Sequence, residues 1–478
     1  MKTLKKAVSV VLAAMMAAAS LSACSGGSAA SSAAPSAAAP ASSEAAASGK
    51  SADAGQEIYF LNFKPEIADV YKDIAKDYEA ETGVKVNVVT AASNTYEQTL
   101  KSEIAKSDPP TIFQINGPVG YNTWKDYCAN LKDTDLYKHL VDKTMAVTSG
   151  DGVYGIPYVV EGYGIIYNNA ILKKYFALSN KAVSISSADQ INNFATLKSV
   201  AEDMTKHKSD LGIKGVFSST SLSSGEDWRW QTHLLNLPFY YEWKDLDANA
   251  NTVVTGLAQK EVAFKYADNY KNIFDLYLNN SVTPKTLLGS KSVDDSMAEF
   301  ALGQSAMVQN GNWAWSQIAK VSGNVVKSDD VKFMPIYTGV TGEEKQGLCI
   351  GTENFFCINS KVSAEKQKAS ADFLYWLFSS DKGKSYVSDS SKLGFIAPFD
   401  TFTSSEQPND PLAKEVSTWM NKKNVTTVSW SFEAFPSQDF KNAVGAALLQ
   451  YAQGKKPWDN VKSTVTSSWK TEKAKAAS

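Results

Sequence analysis

The sequence predicts an α/β protein built as two lobes. Two observations carry this. The chain has 478 residues, 44% of them hydrophobic. That is more than one compact unit of ordinary size needs for its core, so two lobes are expected. From Gln56 onward, short apolar runs alternate with stretches of helical period. Strand–helix–strand units with short joints build a parallel sheet covered by helices.

The N-terminus comes first. Lys2, Lys5 and Lys6 precede an apolar run over residues 7–19. This is the pattern of a secretory signal, too short for a lasting membrane span. The run ends in Leu21-Ser22-Ala23-Cys24, which resembles the bacterial lipobox. Residues 1–23 are therefore expected to be a lipoprotein signal peptide and Cys24 the lipidated first residue of the mature chain. A diacylglyceryl group brings two acyl chains, enough for stable anchoring where one chain is not. Residues 24–55 are rich in Ser and Ala with almost no large apolar side chain. That composition predicts a flexible linker.

The first folded elements follow. "EIYFLNF" is an apolar strand. Pro65 opens a helix in which Ile67, Val70, Tyr71, Ile74 and Tyr78 fall at helical spacing, and Thr82-Gly83 ends it. "VKVNVVTA" is a second strand. Asn94 or Thr95 caps a helix carrying Tyr96, Leu100 and Ile104, which Asp108-Pro109-Pro110 terminates. "TIFQI" is a third strand, and "GVYGIPYVVEGYGIIYNNAIL" gives two strand-like runs broken around Glu161-Gly162. Further on, helices are expected near 197–206, 261–278, 293–302, 364–379, 411–422 and 438–452. Strands are expected at 305–309, 331–337, 348–351 and 355–359. No internal repeat is visible, nor any membrane span after the leader.

Composition narrows the function. Lys and Arg number 48 against 50 Asp and Glu, so nothing favours nucleic acid as partner. The 11 Trp, 21 Tyr and 21 Phe suit a ligand with apolar faces and no charge, beyond the rings a core requires. After Cys24 the cysteines are Cys128, Cys349 and Cys357. Cys349 and Cys357 could pair across a strand–turn–strand, but buried free thiols are the favoured reading. Three histidines with no Cys pair nearby give no zinc pattern, and no cofactor or metal is expected. "SSDKGKS" has Phe378 where a phosphate loop needs Gly, and "DLDANANT" lacks the central Gly of a calcium loop. Glu161, Glu226 and Glu353 lie near aromatics. They are compatible with a glycosidase pair or with carboxylates that accept sugar hydroxyls. In "NGNWAW", Trp313 and Trp315 cannot share one helical face, so at most one of them belongs to the local core.

Four segments resemble one family. "GQSAMVQNGNWAWSQI", "GIPYVVEGYGIIYNNAIL", "GEDWRW" and "NSKVSAEKQKASADFLYWLFSSDKGKSYV" are similar to segments of the family 1 extracellular solute-binding proteins of ABC importers, its maltose-binding members above all. The resemblance covers nearly everything after Gln56. It implies a two-lobe periplasmic-binding-protein-like fold of type II, with crossing strands and the ligand cleft between lobes. The lobes would be 56–160 with 354–397, and 161–353 with 398–478. It implies that Trp313 stacks on a sugar ring while Trp315 packs into its own lobe. Asn312 stands where the family has proline. Glu161 matches a hinge-side carboxylate that contacts ligand, and Glu226 and Trp228 match a Glu and a stacking ring of the second lobe.

The first lobe departs from the maltose-binding pattern. Acid–base pairs follow the first and third strands there. Here the places read Phe63-Lys64-Pro65-Glu66 and Gln114-Ile115-Asn116-Gly117. Maltose is thereby disfavoured and another neutral oligosaccharide expected, held by amides at Asn62, Gln114 and Asn116. Phe63, Asn310 and Glu353 complete the candidate contacts, with a third aromatic among Tyr163, Trp430, Phe432 and Phe440. The resemblance thus implies a monomeric, lipid-anchored receptor at the outer face of the cytoplasmic membrane. It would deliver sugar to an ABC permease and perform no chemical step. The alternatives are a surface glycoside hydrolase and a same-fold receptor for a non-sugar. A polyamine would be marked by acids facing the cleft, an organic anion by Arg.

Overall fold

A computed structural model of the chain describes residues 53–91, 95–249 and 251–477. The leader, Cys24 and the linker up to residue 52 lie outside the described residues, as does Asn94, one of the two expected helix caps. Twelve strands are present among the described residues. They are β1 (Glu57–Asn62), β2 (Lys85–Thr90), β3 (Ile112–Ile115), β4 (Val147–Ser149), β5 (Gly152–Gly155), β6 (Glu161–Asn168), β7 (Gly215–Phe217), β8 (Ser305–Gly311), β9 (Val331–Met334), β10 (Gln346–Gly351), β11 (Phe355–Ile358) and β12 (Thr426–Ser429).

The first sheet has the order β11-β3-β1-β2. β1 pairs in parallel with β2 and β3, as the alternation of strand and helix predicts, and β11 joins antiparallel to β3. β1 is buried along almost its whole length, as a central strand covered on both faces must be. Pro65 opens a 3-10 turn over Pro65–Ile67, and the helix proper runs Ala68–Thr82. Tyr71, Ile74 and Tyr78 face the sheet. Gly83, at φ 78°, ends the helix in the left-handed region that glycine adopts without strain.

The second sheet runs β12-β10-β6-β8-β7, with β9 also pairing β6. It is mixed rather than parallel. β6 is antiparallel to β8, β9 and β10, while β10–β12 and β7–β8 are parallel. β6 carries the chain out of the first sheet, and the turn from β10 into β11 carries it back. Cys349 and Cys357 consequently lie in different sheets. With Cys128 they are buried free thiols. Helices that the sequence reading left out include Asn236–Leu246 and Trp458–Ala477. The latter buries Trp469 against Phe239 and Trp243. No described helix is long and apolar enough to cross a membrane.

Candidate functional site

A cavity of about 370 Å³ lies between the two sheets. The first lobe contributes the loop after β1 with Phe63, Lys64 and Glu66, the start of the helix Tyr96–Glu103, and Asn116 beyond β3. The second contributes Trp228 and His233, Trp313 beyond β8, and Lys441 on the helix Gln438–Ala452. Glu161 at the head of β6 and Glu353 between β10 and β11 stand where the chain crosses. The carboxyl ends of parallel strands are where open α/β sheets place ligands.

The local sequence explains how Trp313 is held. A Cβ built on Gly311 would sit 2.1 Å from Cζ3 of the indole, so only glycine lets the ring lie across that backbone. Asn312 clamps the turn to β6. Its backbone N–H donates to the Gly162 carbonyl at 3.0 Å, and its Oδ1 accepts from the Gly162 N–H at 2.9 Å. Proline, which has no N–H, could make neither bond. Trp313 is half-buried and turned to the cavity. Its ring centroid lies 5.5 Å from His233, 6.1 Å from Trp228 and 6.4 Å from Trp430. Trp315 packs against the apolar cluster that includes Leu412 and Val416, yet it too is only half-buried. The expectation that Trp315 is core therefore holds for its direction but not for its depth.

Trp228 immediately precedes a π-helix, Arg229–Leu234. Such local widening recurs at functional sites. Behind Trp228 lies the guanidinium of Arg229, 5.2 Å from its ring and 5.8 Å from that of Trp230. Arg229 donates through Nη2 to the Ser221 hydroxyl. Burial pulls its pKa down to about 9, while Glu226 and Asp294 oppose the fall. Oε2 of Glu226 accepts the Val293 N–H at 2.9 Å. It thereby occupies the positive end of the helix Val293–Ala301.

The centre of the cavity is ionic. Nζ of Lys64 lies 2.8 Å from Oε1 of Glu161 and 3.8 Å from Oε1 of Glu66. Burial lowers the Lys64 pKa, but Glu161 and Glu66 outweigh it and hold the ammonium above its usual range. Burial raises the Glu161 carboxyl, and Lys64 limits the rise. Burial also raises Glu97 and Glu353, and lifts Glu433 to about 8. Lys441 is buried with no ion pair among the described residues, and burial lowers its pKa.

Seven residues singled out from sequence line this cavity: Trp313, Glu161, Trp228, Glu226, Phe63, Asn116 and Glu353. Five others lie outside its lining. Asn62 turns back on its own loop, donating to the Lys64 carbonyl at 2.8 Å and to Thr90 Oγ1 at 3.1 Å. Oε1 of Gln114 accepts the Phe63 N–H at 2.6 Å. The buried Tyr163 stacks on His233 at 4.5 Å and donates to its carbonyl. Asn310 is buried, its Oδ1 accepting the Gly311 N–H. Trp430, 2% exposed, stands behind Trp313. Phe432 and Phe440 are likewise buried in the core. These groups shape the wall instead of forming it. Lys64, Glu97, His233 and Lys441 line the cavity and were missed as contacts. Only Lys64 carried a sequence signal, its place two residues beyond the end of β1.

Two α/β lobes with an aromatic and ionic cavity between them define a two-lobe solute-binding protein. The family described as "Bacterial extracellular solute-binding protein" matches residues 73–415, and the chain belongs to it. That family binds solutes and is not one of enzymes. No curated protein matches the chain. Among solved structures it is similar to a "Chitin oligosaccharide binding protein", at 17% identity and TM-score 0.65 over 88% of this chain and 98% of that one. It is also similar to "SBP RafE in complex with raffinose", at 17% and 0.65 over 87% and 99%. A third is maltose-bound MalE3 of T. maritima, at 13% and 0.63 over 87% and 100%. At these identities the likeness establishes the fold.

Proposed function

We propose that this protein is the receptor of an ABC importer that captures an oligosaccharide between its lobes. The lobes are 56–160 with 354–397 and 161–353 with 398–478. In this reading the chain is a monomer, held at the outer face of the cytoplasmic membrane by lipid on Cys24, and it hands its cargo to a permease. The observation that carries the reading is the pair Trp313 and Trp228. Both rings are half-exposed in one cavity whose rim holds carboxylates and amides. A sugar's C–H face is apolar and sits on an aromatic ring, while its hydroxyls need paired acceptors and donors. The structural relatives bind oligosaccharides by their titles, which agrees with this assignment. Ligand favours the closed arrangement because only that state contacts it from both sides.

The test is a panel of oligosaccharides followed by thermal melting and calorimetry. A cognate sugar at a hundredfold excess over its Kd adds about 2.7 kcal/mol, a shift of a few degrees for a chain of this size. The sugar is recovered intact. Shortened sugar products, lost on changing Glu161 or Glu226, would overturn the receptor reading in favour of a hydrolase.

A further inference from the structure

The cavity is charged differently from the chain around it. Over the whole sequence, 48 basic residues nearly cancel 50 acidic ones. In the cavity lining, Glu66, Glu97, Glu161, Glu226, Asp294 and Glu353 face the ammonium groups of Lys64 and Lys441, and behind Trp228 the guanidinium of Arg229 acts on Glu226 and Asp294. Lys64 is already engaged by Glu161 and Glu66. Pairing Lys441 and Arg229 with one acid each still leaves two carboxylates without a counter-charge. Like charges in a partly desolvated cleft oppose one another's ionisation. Burial raises both Glu97 and Glu353, and each lies within the field of other acids or of Lys441. The balanced charge that suggests a neutral ligand for the chain as a whole does not describe this lining.

We propose that the oligosaccharide carries a protonated amine, an amino sugar whose ammonium sits among these carboxylates and against the faces of Trp313 and Trp228. This rests on the sugar-receptor reading and narrows its ligand class. Two observations independent of the acids support it. Nζ of Lys64 lies 5.7 Å from the centroid of Trp313, so that ring already faces an ammonium, and aromatic faces attract cations. His233 lines the cavity, is 4% exposed, and has Nδ1 without a partner among the described residues. Burial, with Lys441 and Arg229 adding to it, keeps the imidazole neutral. A neutral imidazole keeps one of its two ring nitrogens without a proton, and that nitrogen accepts a hydrogen bond from an N–H or O–H donor. Of the two ammonium groups in the lining, Lys441 is the one with no ion pair among the described residues, and it is left to donate to ligand hydroxyl oxygens.

The experiment is calorimetric titration of the purified chain with three β-1,4-linked tetramers that differ only at C2 of each ring: glucosamine, N-acetylglucosamine and glucose. Spermidine is the fourth ligand. The glucosamine tetramer should bind at least about tenfold more tightly than either neutral tetramer, the scale of one modest charge interaction. The double variant Glu97→Gln with Glu353→Gln keeps shape and hydrogen-bonding capacity but removes charge. It should fold with an unchanged circular dichroism spectrum and lose most of that preference. A neutral tetramer binding as tightly as glucosamine overturns the amine and leaves the sugar receptor standing. Spermidine binding where no sugar binds overturns both. Binding of none of the four overturns the amine, and the wider sugar panel then decides the receptor reading separately.

Discussion

Replacing Trp313 and Trp315 by alanine, one at a time, tests the site most directly. If Trp313 is the stacking platform, Trp313→Ala removes a central aromatic anchor. That costs about 2 kcal/mol or more of binding, about thirtyfold in Kd. Its cost in stability is not negligible, because the ring is half-buried and packs on Gly311 and against three other rings. Losing a fully buried aromatic costs about 3 to 5 kcal/mol, so about half of that is expected here. Trp315, half-buried against a different apolar cluster, should lose a similar amount of stability. The two variants therefore separate by affinity and not by folding. Urea melts without ligand give the stability terms, and calorimetry on the folded protein gives affinity. Trp315→Ala should bind within about threefold of wild type, with slight coupling because the residues share a turn. Equal losses of affinity in both variants, or full affinity in Trp313→Ala, would refute the stacking assignment.

Four further outcomes follow from the geometry. Gly311→Ala places a methyl against the Trp313 indole, so it should weaken sugar binding nearly as much as Trp313→Ala, read by the same calorimetry. Asn312→Ala leaves the buried Gly162 N–H without its acceptor and should cost about 1 to 3 kcal/mol in urea melts. Glu433, which burial lifts to about 8, binds a proton in the folded state that the unfolded chain has released above its ordinary range. Stability should therefore fall as pH rises from about 4.5 to about 8, and Glu433→Gln should flatten that fall in melting temperature. Cys24→Ala should leave the binding domain folded but release it from the membrane fraction or block its maturation, seen by fractionation.

Much of the first lobe was legible because its information is local. The apolar runs of β1, β2 and β3 and the helical spacing of Tyr71, Ile74 and Tyr78 need no distant partner to be recognised. In the second sheet the strands β6, β8, β9 and β10 were legible but their order was not, since the pairing joins remote segments. Tyr163 on β6 lies opposite Gly311 on β8, and Cys349 on β10 lies opposite Tyr163 in turn. No periodicity announces such contacts. The same limit governs the site. Trp313 is recognisable from its own turn, whereas the Lys64–Glu161 pair spans 97 residues. Asn62, Gln114 and Asn310 read as ligand contacts because amides suit sugar hydroxyls. The chain instead uses them to satisfy backbone groups buried beside the cavity, which must find partners somewhere.

Stacking and charge are set by separate parts of the architecture. The Trp313 platform depends on a glycine beneath the ring and on the Asn312–Gly162 clamp, both within the second sheet. Their geometry is fixed by β6 and β8, so it tolerates little change. The ionic lining comes mainly from loops and helix starts: Glu66 after β1, Glu97 at the first turn of its helix, Glu353 between β10 and β11. Such positions vary without disturbing a core. One scaffold can therefore keep its aromatic platform while its charge moves from one ligand class to another. The turn at Trp313, which resembles that of maltose-binding proteins, and the unlike residues after β1 and β3 are then no contradiction. Under the proposed function, the turn provides a surface for a sugar ring, and the loops determine which groups on that ring are accepted.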